Sequence, residues 1–156
     1  GFVRMMNNAD NVGLASLKNF CKFGFVNVKQ KIKNCEHYIE QIHLHPADPY
    51  YDTEKLSGGN QQKVVIAKWL STHSNIIIFD EPTKGVDVGA KAEIYRLMEE
   101  LLAEGKSILM VSSEMPEIIG MSDRVIVMRE GRIMAELQRG ELSEERVISC
   151  AMGGGS

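Results

Sequence analysis

The chain has 156 residues, of which 44% are apolar and 25% charged. That is enough for one ordinary domain with a core and too short for two comfortable ones, and the composition is that of a soluble globular protein rather than a disordered one. Eighteen Lys and Arg against 21 Asp and Glu leave a net charge of −3, which gives no electrostatic reason to expect nucleic acid as a partner. The apolar runs 64–67 and 76–79 are too short to span a bilayer, and no charged-then-apolar leader opens the sequence. Cys21, Cys35 and Cys150 form an odd, scattered set, as expected of a chain kept in a reducing cytosolic compartment.

The first part of the chain reads as helical. Val28, Ile32, Cys35, Tyr38, Ile39 and Ile42 recur at three- and four-residue spacing and make one apolar stripe. A loop follows, marked by Pro46, Asp48 and Pro49. From Leu56 onwards helix-like and strand-like segments alternate. Ile76-Ile77-Ile78-Phe79 is a continuous apolar run, the pattern of a strand covered on both faces. Ile94, Leu97, Met98, Leu101 and Leu102 give a helix expected to start at an Asp87 cap and end before Gly105. Residues 108–111 predict a second buried strand. Residues 125–128 and 133–137 flank Arg129-Glu130-Gly131-Arg132 and predict a hairpin. Strand, helix, strand in that order makes this an α/β chain with a parallel sheet. The closing Gly153-Gly154-Gly155-Ser156 reads as a flexible tail or an expression remnant.

Two segments carry chemistry. In Leu56-Ser57-Gly58-Gly59-Asn60-Gln61-Gln62, two glycines leave backbone N–H groups bare beside a serine at the expected start of a helix. Unpaired amides and the positive dipole end of the helix make an anion site that a terminal phosphate fits. Ser57 as a plain N-cap, with glycines for the turn, explains the same residues. The second segment, residues 76–83, delivers Asp80 and Glu81 to the C-terminal end of a strand, the edge at which open α/β sheets bind ligands. Adjacent positions on an extended chain point opposite ways, so the two acids can do different work. Asp80 is placed to hold Mg²⁺, and Glu81 to orient or deprotonate an attacking water. Taken alone, such a pair is also a helix cap and a solvated acid.

Together these residues resemble the ATP-binding cassette (ABC) ATPases. Leu56 to Gln62 is similar to the family's signature motif, Ile76 to Glu81 to its Walker B strand with the catalytic glutamate, and Gly85-Val86-Asp87 falls at its D-loop. With Ser112-Ser113-Glu114-Met115-Pro116-Glu117 added, the chain looks like the second nucleotide-binding domain of the fused ATPase subunits that power bacterial simple-sugar importers. The resemblance is close from Leu56 to about Glu136 and looser over residues 8–52. It implies a partial P-loop NTPase core, with a helical subdomain at residues 1–58, an α/β core at 59–141, and a C-terminal helix and tail at 142–156. It also implies ATP and Mg²⁺ as cofactors. Glu81 is then catalytic, Asp80 the metal ligand, and Ser57, Gly58, Gly59, Asn60, Gln61, Asp87 and Ser113 nucleotide contacts. The implied partners are a first cassette of the same subunit or a second copy, membrane permease subunits, and indirectly a periplasmic or lipoprotein solute-binding protein. No nucleic acid is expected, and the place of action is the inner face of the cell membrane.

Two family features are missing. No G-x-x-x-x-G-K-[ST] phosphate loop (Walker A) is present; Gly105-Lys106-Ser107 imitates its end, but it follows a helix and enters a strand, the reverse of the required order. The chain therefore reads as the C-terminal piece of a longer polypeptide, inactive alone. Ser113 stands where the family carries its switch histidine, so this cassette's own site is expected to hydrolyse slowly while Ser57, Gly58 and Gly59 serve ATP held by the partner cassette. A regulatory, catalytically degenerate domain is the alternative, and a DNA-maintenance ATPase a remoter one. Lys63 reads as a solvated helix residue at least as readily as one positioning the signature, Trp69 as core, and the methionines as core filler. Asp87 either caps its helix or reaches an opposite phosphate loop.

Overall fold

In a computed structural model of the chain the structure describes residues 1–153; of the closing tail, residues 154–156 lie outside them. Residues Gly1–Met110 and Val111–Ser156 form two compact units.

The first unit is built on four helices: α1 (Asn8–Gly13), α2 (Val28–Gln41), α3 (Gly58–Leu70) and α4 (Val88–Ala103). Each starts on a side-chain cap, from Asn7, Asn27, Ser57 and Asp87 in turn, so the first-turn amides are satisfied where the sequence offers a short polar residue. The α2 stripe is as expected at Cys35, Tyr38, Ile39 and Ile42, which are buried, whereas Ile32 is half-buried and Val28, in the first turn, is exposed. Burial also pushes the Cys35 thiol up to about 12, leaving it protonated and inert. The α1, α2 and α3 helices pack on one another, and α3 packs on α4. Between α1 and α2 the chain makes a short hairpin that the helical pattern does not signal, β1 (Cys21–Lys22) with β2 (Phe25–Val26), leaving Phe23 and Phe25 exposed.

A buried polar network ties α1 to the loop before α3. The Asn11 amide donates to Thr53 Oγ1 at 3.0 Å, Thr53 Oγ1 donates to Asn8 Oδ1 at 2.9 Å, and Asn8 Nδ2 donates to the Asp48 carbonyl at 2.9 Å. Buried polar groups this fully paired fix one local conformation.

Strands β3 (Ile76–Asp80) and β4 (Ser107–Val111) pair across the α4 crossover in a short two-stranded parallel sheet. The expectation of strands covered on both faces is corrected here. Ile77 and Phe79 are buried, whereas Ile76 and Ile78 are 66% and 68% exposed, and Leu109 and Val111 on β4 are half exposed. Alternate residues point to opposite faces, and in these residues only one face has a cover. Trp69, expected in the core, is 53% exposed, with Lys68 Nζ 5.1 Å from its ring centroid. Met98 is buried as expected, but Met5, Met128, Met134 and Met152 are exposed.

The second unit has α5 (Met115–Met121), the hairpin β5 (Arg124–Arg129) with β6 (Arg132–Gln138), and α6 (Glu144–Met152). Glu130 and Gly131, with φ of 50° and 75°, make the tight turn expected of those residues. Val127, Leu137 and Val147 form the core between hairpin and α6. Gly153, assigned to the tail by sequence, is the left-handed cap of α6.

Candidate functional site

The signature turn is the first turn of α3. Ser57 is its N-cap, with Oγ accepting from the Asn60 amide at 3.4 Å and from Asn60 Nδ2 at 3.0 Å. Ser57 and Gly58 are exposed. Among the described residues no acceptor takes the Ser57 hydroxyl proton, so it can be given to an incoming oxygen. Gly59 faces inward, where an added Cβ would lie 2.5 Å from the Ala90 Cβ. Only glycine permits that approach of α3 to α4.

The next two side chains are already engaged. Asn60 Oδ1 accepts from the His45 amide at 3.3 Å. Gln61 Nε2 donates to the carbonyls of Glu54 and Leu56 at 3.0 Å each, bracing the bend that leads into Ser57. Lys63, one turn beyond Gly59, is only 5% exposed and bridges Glu93 Oε2 on α4 at 2.8 Å and the His43 carbonyl at 2.9 Å. Its ammonium holds the Glu93 carboxyl below the ordinary range, first through their hydrogen bond and then through its charge. The solvated reading of Lys63 is thereby overturned. An apolar helix interior gives no sign that a lysine is buried, because its ion-pair partner lies 30 residues away. A cleft of about 250 Å³ opens beside this bridge, lined by His43, His45, Lys63, Glu93 and Arg96 among others.

The paired acids lie where β3 ends. Asp80 is exposed and makes no ion pair among the described residues. Glu81 follows at φ 50°, a left-handed backbone uncommon for a residue with a side chain. It opens a tight turn in which the Lys84 amide donates to the Glu81 carbonyl at 3.2 Å and the Val86 amide to that of Thr83 at 3.3 Å. Gly85 sits at φ 77° in that turn. Asp87 then caps α4, accepting from the Ala90 amide at 3.0 Å, which gives the capping alternative its geometry. The Gly59–Ala90 contact thus brings the first turns of α3 and α4 together. Glu81 precedes the Asp87 cap by six residues.

Gly105 closes α4 and Ser107 opens β4, so the Gly105-Lys106-Ser107 triplet is a helix-to-strand turn and cannot cradle phosphate as a strand-to-helix loop does. Ser113 lies in the second unit, exposed, between β4 and α5. Beside it the Ser112 hydroxyl bonds the Glu117 carboxylate and accepts from the Glu114 amide at 3.0 Å.

The donor set suits Mg²⁺ bound with a nucleotide. That ion takes one or two carboxylates, keeps waters and fills its remaining positions with phosphate oxygens, and a single exposed Asp80 at a strand end meets the protein's share. No group of three or more His, Cys, Asp or Glu able to hold a metal occurs among the described residues. No helix among them is long and apolar enough to cross a membrane.

Comparison with known proteins agrees with these motifs. The chain is 48% identical over 154 residues to the ribose import ATP-binding protein RbsA of Streptococcus agalactiae serotype III (strain NEM316), covering 99% of this chain and 31% of that protein. It is 45% identical over 154 residues to the xylose import ATP-binding protein XylG of Thermoanaerobacter pseudethanolicus, covering 99% of the chain and 30% of that protein. The chain thus spans about a third of the length of the curated relatives it matches. Its fold is that of an ATP-binding cassette solved as a dimer in a post-hydrolysis state bound to ADP and Pi, with a TM-score of 0.73 at 23% identity, covering 89% of this chain and 59% of that one. Residues 2–84 match the ABC transporter family model, and the chain belongs to that family.

Proposed function

We propose that this chain is the C-terminal part of the second nucleotide-binding cassette of an ATPase subunit that drives import of a simple sugar. In this reading it lends its signature turn to ATP held by the partner cassette. The observation that carries the reading is the exposed, glycine-lined start of α3, with an uncommitted Ser57 hydroxyl, locked by Gly59 against the helix that Asp87 caps. The sugar-import names of the relatives support the substrate class, and the dimer of the solved cassette supports a site completed by two cassettes.

Each residue then has a role that its chemistry fits. The Ser57 hydroxyl and the Gly58 and Gly59 amides would donate to the γ-phosphate of the partner's ATP, where the helix dipole also favours negative charge. Asn60 and Gln61, whose side chains are spent on the turn itself, would hold its shape. Asp80 would hold Mg²⁺, which when bound neutralises charge on the phosphates. Glu81 would orient the attacking water and take its proton. Asp87 would keep α4 in place and present the D-loop to the partner. Ser113, where the family has histidine, would support only slow hydrolysis at this cassette's own site. Residues 1–58 would form the helical subdomain that meets the permease, 59–141 the core and 142–156 the C-terminal extension. The assembly would act at the inner face of the membrane, supplied by a periplasmic or lipoprotein solute-binding protein.

The test is made in the full-length subunit reconstituted with its permease. Ser57→Arg should abolish ATP turnover and transport, while Glu81→Gln should leave a substantial part of both. Equal and complete losses would remove the asymmetry between the sites. Loss from Glu81→Gln alone would reverse it.

A further inference from the structure

Resting on the reading that α3 presents the signature to a second cassette, we propose that Lys63 is a positioning residue for that reaction, its bridge to Glu93 fixing the register of the signature helix against α4. Gly59 and Lys63 lie one turn apart on α3 and therefore share a face; Ala90 and Glu93 do the same on α4. The two helices meet at two points along that seam. At the first, Gly59 admits the Ala90 methyl; at the second, the Lys63 ammonium takes the Glu93 carboxylate at 2.8 Å. A second bond of the ammonium, from Lys63 Nζ to the His43 carbonyl at 2.9 Å, ties in the loop after α2.

The packing at Gly59 is apolar and non-directional, so alone it permits α3 to turn or slide along α4. A buried ammonium cannot, because each donor must keep an acceptor. Lys63 thereby converts a close approach into a fixed register, and with it fixes Ser57 relative to Asp87. The ammonium is spent on Glu93 and the His43 carbonyl, neither of them a reacting group. Its effect on the reaction is therefore indirect, and it falls on alignment rather than on nucleotide affinity, which the partner's own phosphate loop supplies.

The experiment measures steady-state ATP turnover in the full-length subunit reconstituted with its permease, alongside the melting temperature of each variant. Lys63→Met should lower kcat about tenfold with KM for MgATP within about twofold, since misplacement of a positioning group costs rate at constant binding. Lys63→Arg, which keeps charge and reach, should recover most of that loss. Glu93→Ala approaches the same bridge from the exposed side, and so stands in if Lys63→Met fails to fold. It should match Lys63→Met, and the double variant should lose no more than either single one. Turnover within about twofold of the parent in both single variants would overturn the proposal, as would a fall in melting temperature with kcat unchanged. Ser57→Arg is run in parallel: if it is silent, the signature reading itself fails, whereas its loss of activity beside silent Lys63 and Glu93 variants defeats the positioning role alone.

Discussion

Gly59 stands so close to Ala90 that a Cβ on Gly59 would sit 2.5 Å from the Ala90 methyl. The second glycine of the signature turn is therefore required by packing before any ligand is considered. The first glycine, Gly58, has nothing within 4 Å of its Cβ position, and that contrast separates two reasons for glycine within a single motif.

Replacing Gly59 by alanine adds up to about 1 kcal/mol of helix propensity but forces an overlap that costs about 1–3 kcal/mol, because both atoms sit on helix backbones. Gly59→Ala is expected to be destabilising by about 1–2 kcal/mol in denaturant unfolding. Ala90→Gly reopens the space, so the double variant should be more stable than the two single losses added together. Simple additivity would mean that the helices do not touch there.

Gly58→Ala should leave stability unchanged or slightly raised, since the new methyl meets open space in a helical turn. In the full-length subunit the same substitution should reduce ATP turnover, because the methyl occupies the approach to the exposed amides. Parent-like turnover with parent-like stability would show that nothing approaches Gly58 closely.

The Lys63–Glu93 bridge sets a pH dependence. Glu93 is held below its ordinary value of 4.5, so its contribution to stability is present above that value and is lost as pH falls through the lower value of the folded state. The difference in melting temperature between the parent chain and Glu93→Gln should be constant at neutral pH and shrink below about pH 4.5. The Glu93 side chain is 57% exposed, so screening keeps the effect small. A difference that grows in acid would contradict the bridge.

Much of this was legible in the sequence because the signals are local. Asp87 caps α4 through an amide three residues on, and Glu130-Gly131 turns the hairpin through its own backbone angles. The N-cap position of Ser57 follows from the same capping rule. What was not legible depends on distant partners. The burial of Lys63 depends on Glu93. The exposure of Ile76 and Ile78 depends on what packs over one face of the sheet, and an apolar run reads the same whether one face is covered or two. Trp69 was misplaced for the same reason, since an apolar helix does not say which of its sides meets a neighbour.

That open face makes the isolated 156-residue polypeptide prone to self-association. Ile76, Ile78 and Leu109 are exposed on a sheet that has two strands among the described residues, and such surfaces seek cover. Sedimentation velocity should show association rising with concentration, and Ile78→Lys should reduce it. A monomer up to about 100 μM in the parent chain would count against an exposed face.

The most direct test of a turn lent to another cassette's nucleotide is to map where trapped vanadate lies. In the intact subunit loaded with MgADP and vanadate, ultraviolet light should cut the chain at Ser57. That cut should vanish when the phosphate-loop lysine of the other cassette is replaced. A cut at Ser57 that survives that replacement, or no cut at Ser57 in an otherwise trapped complex, would contradict the account.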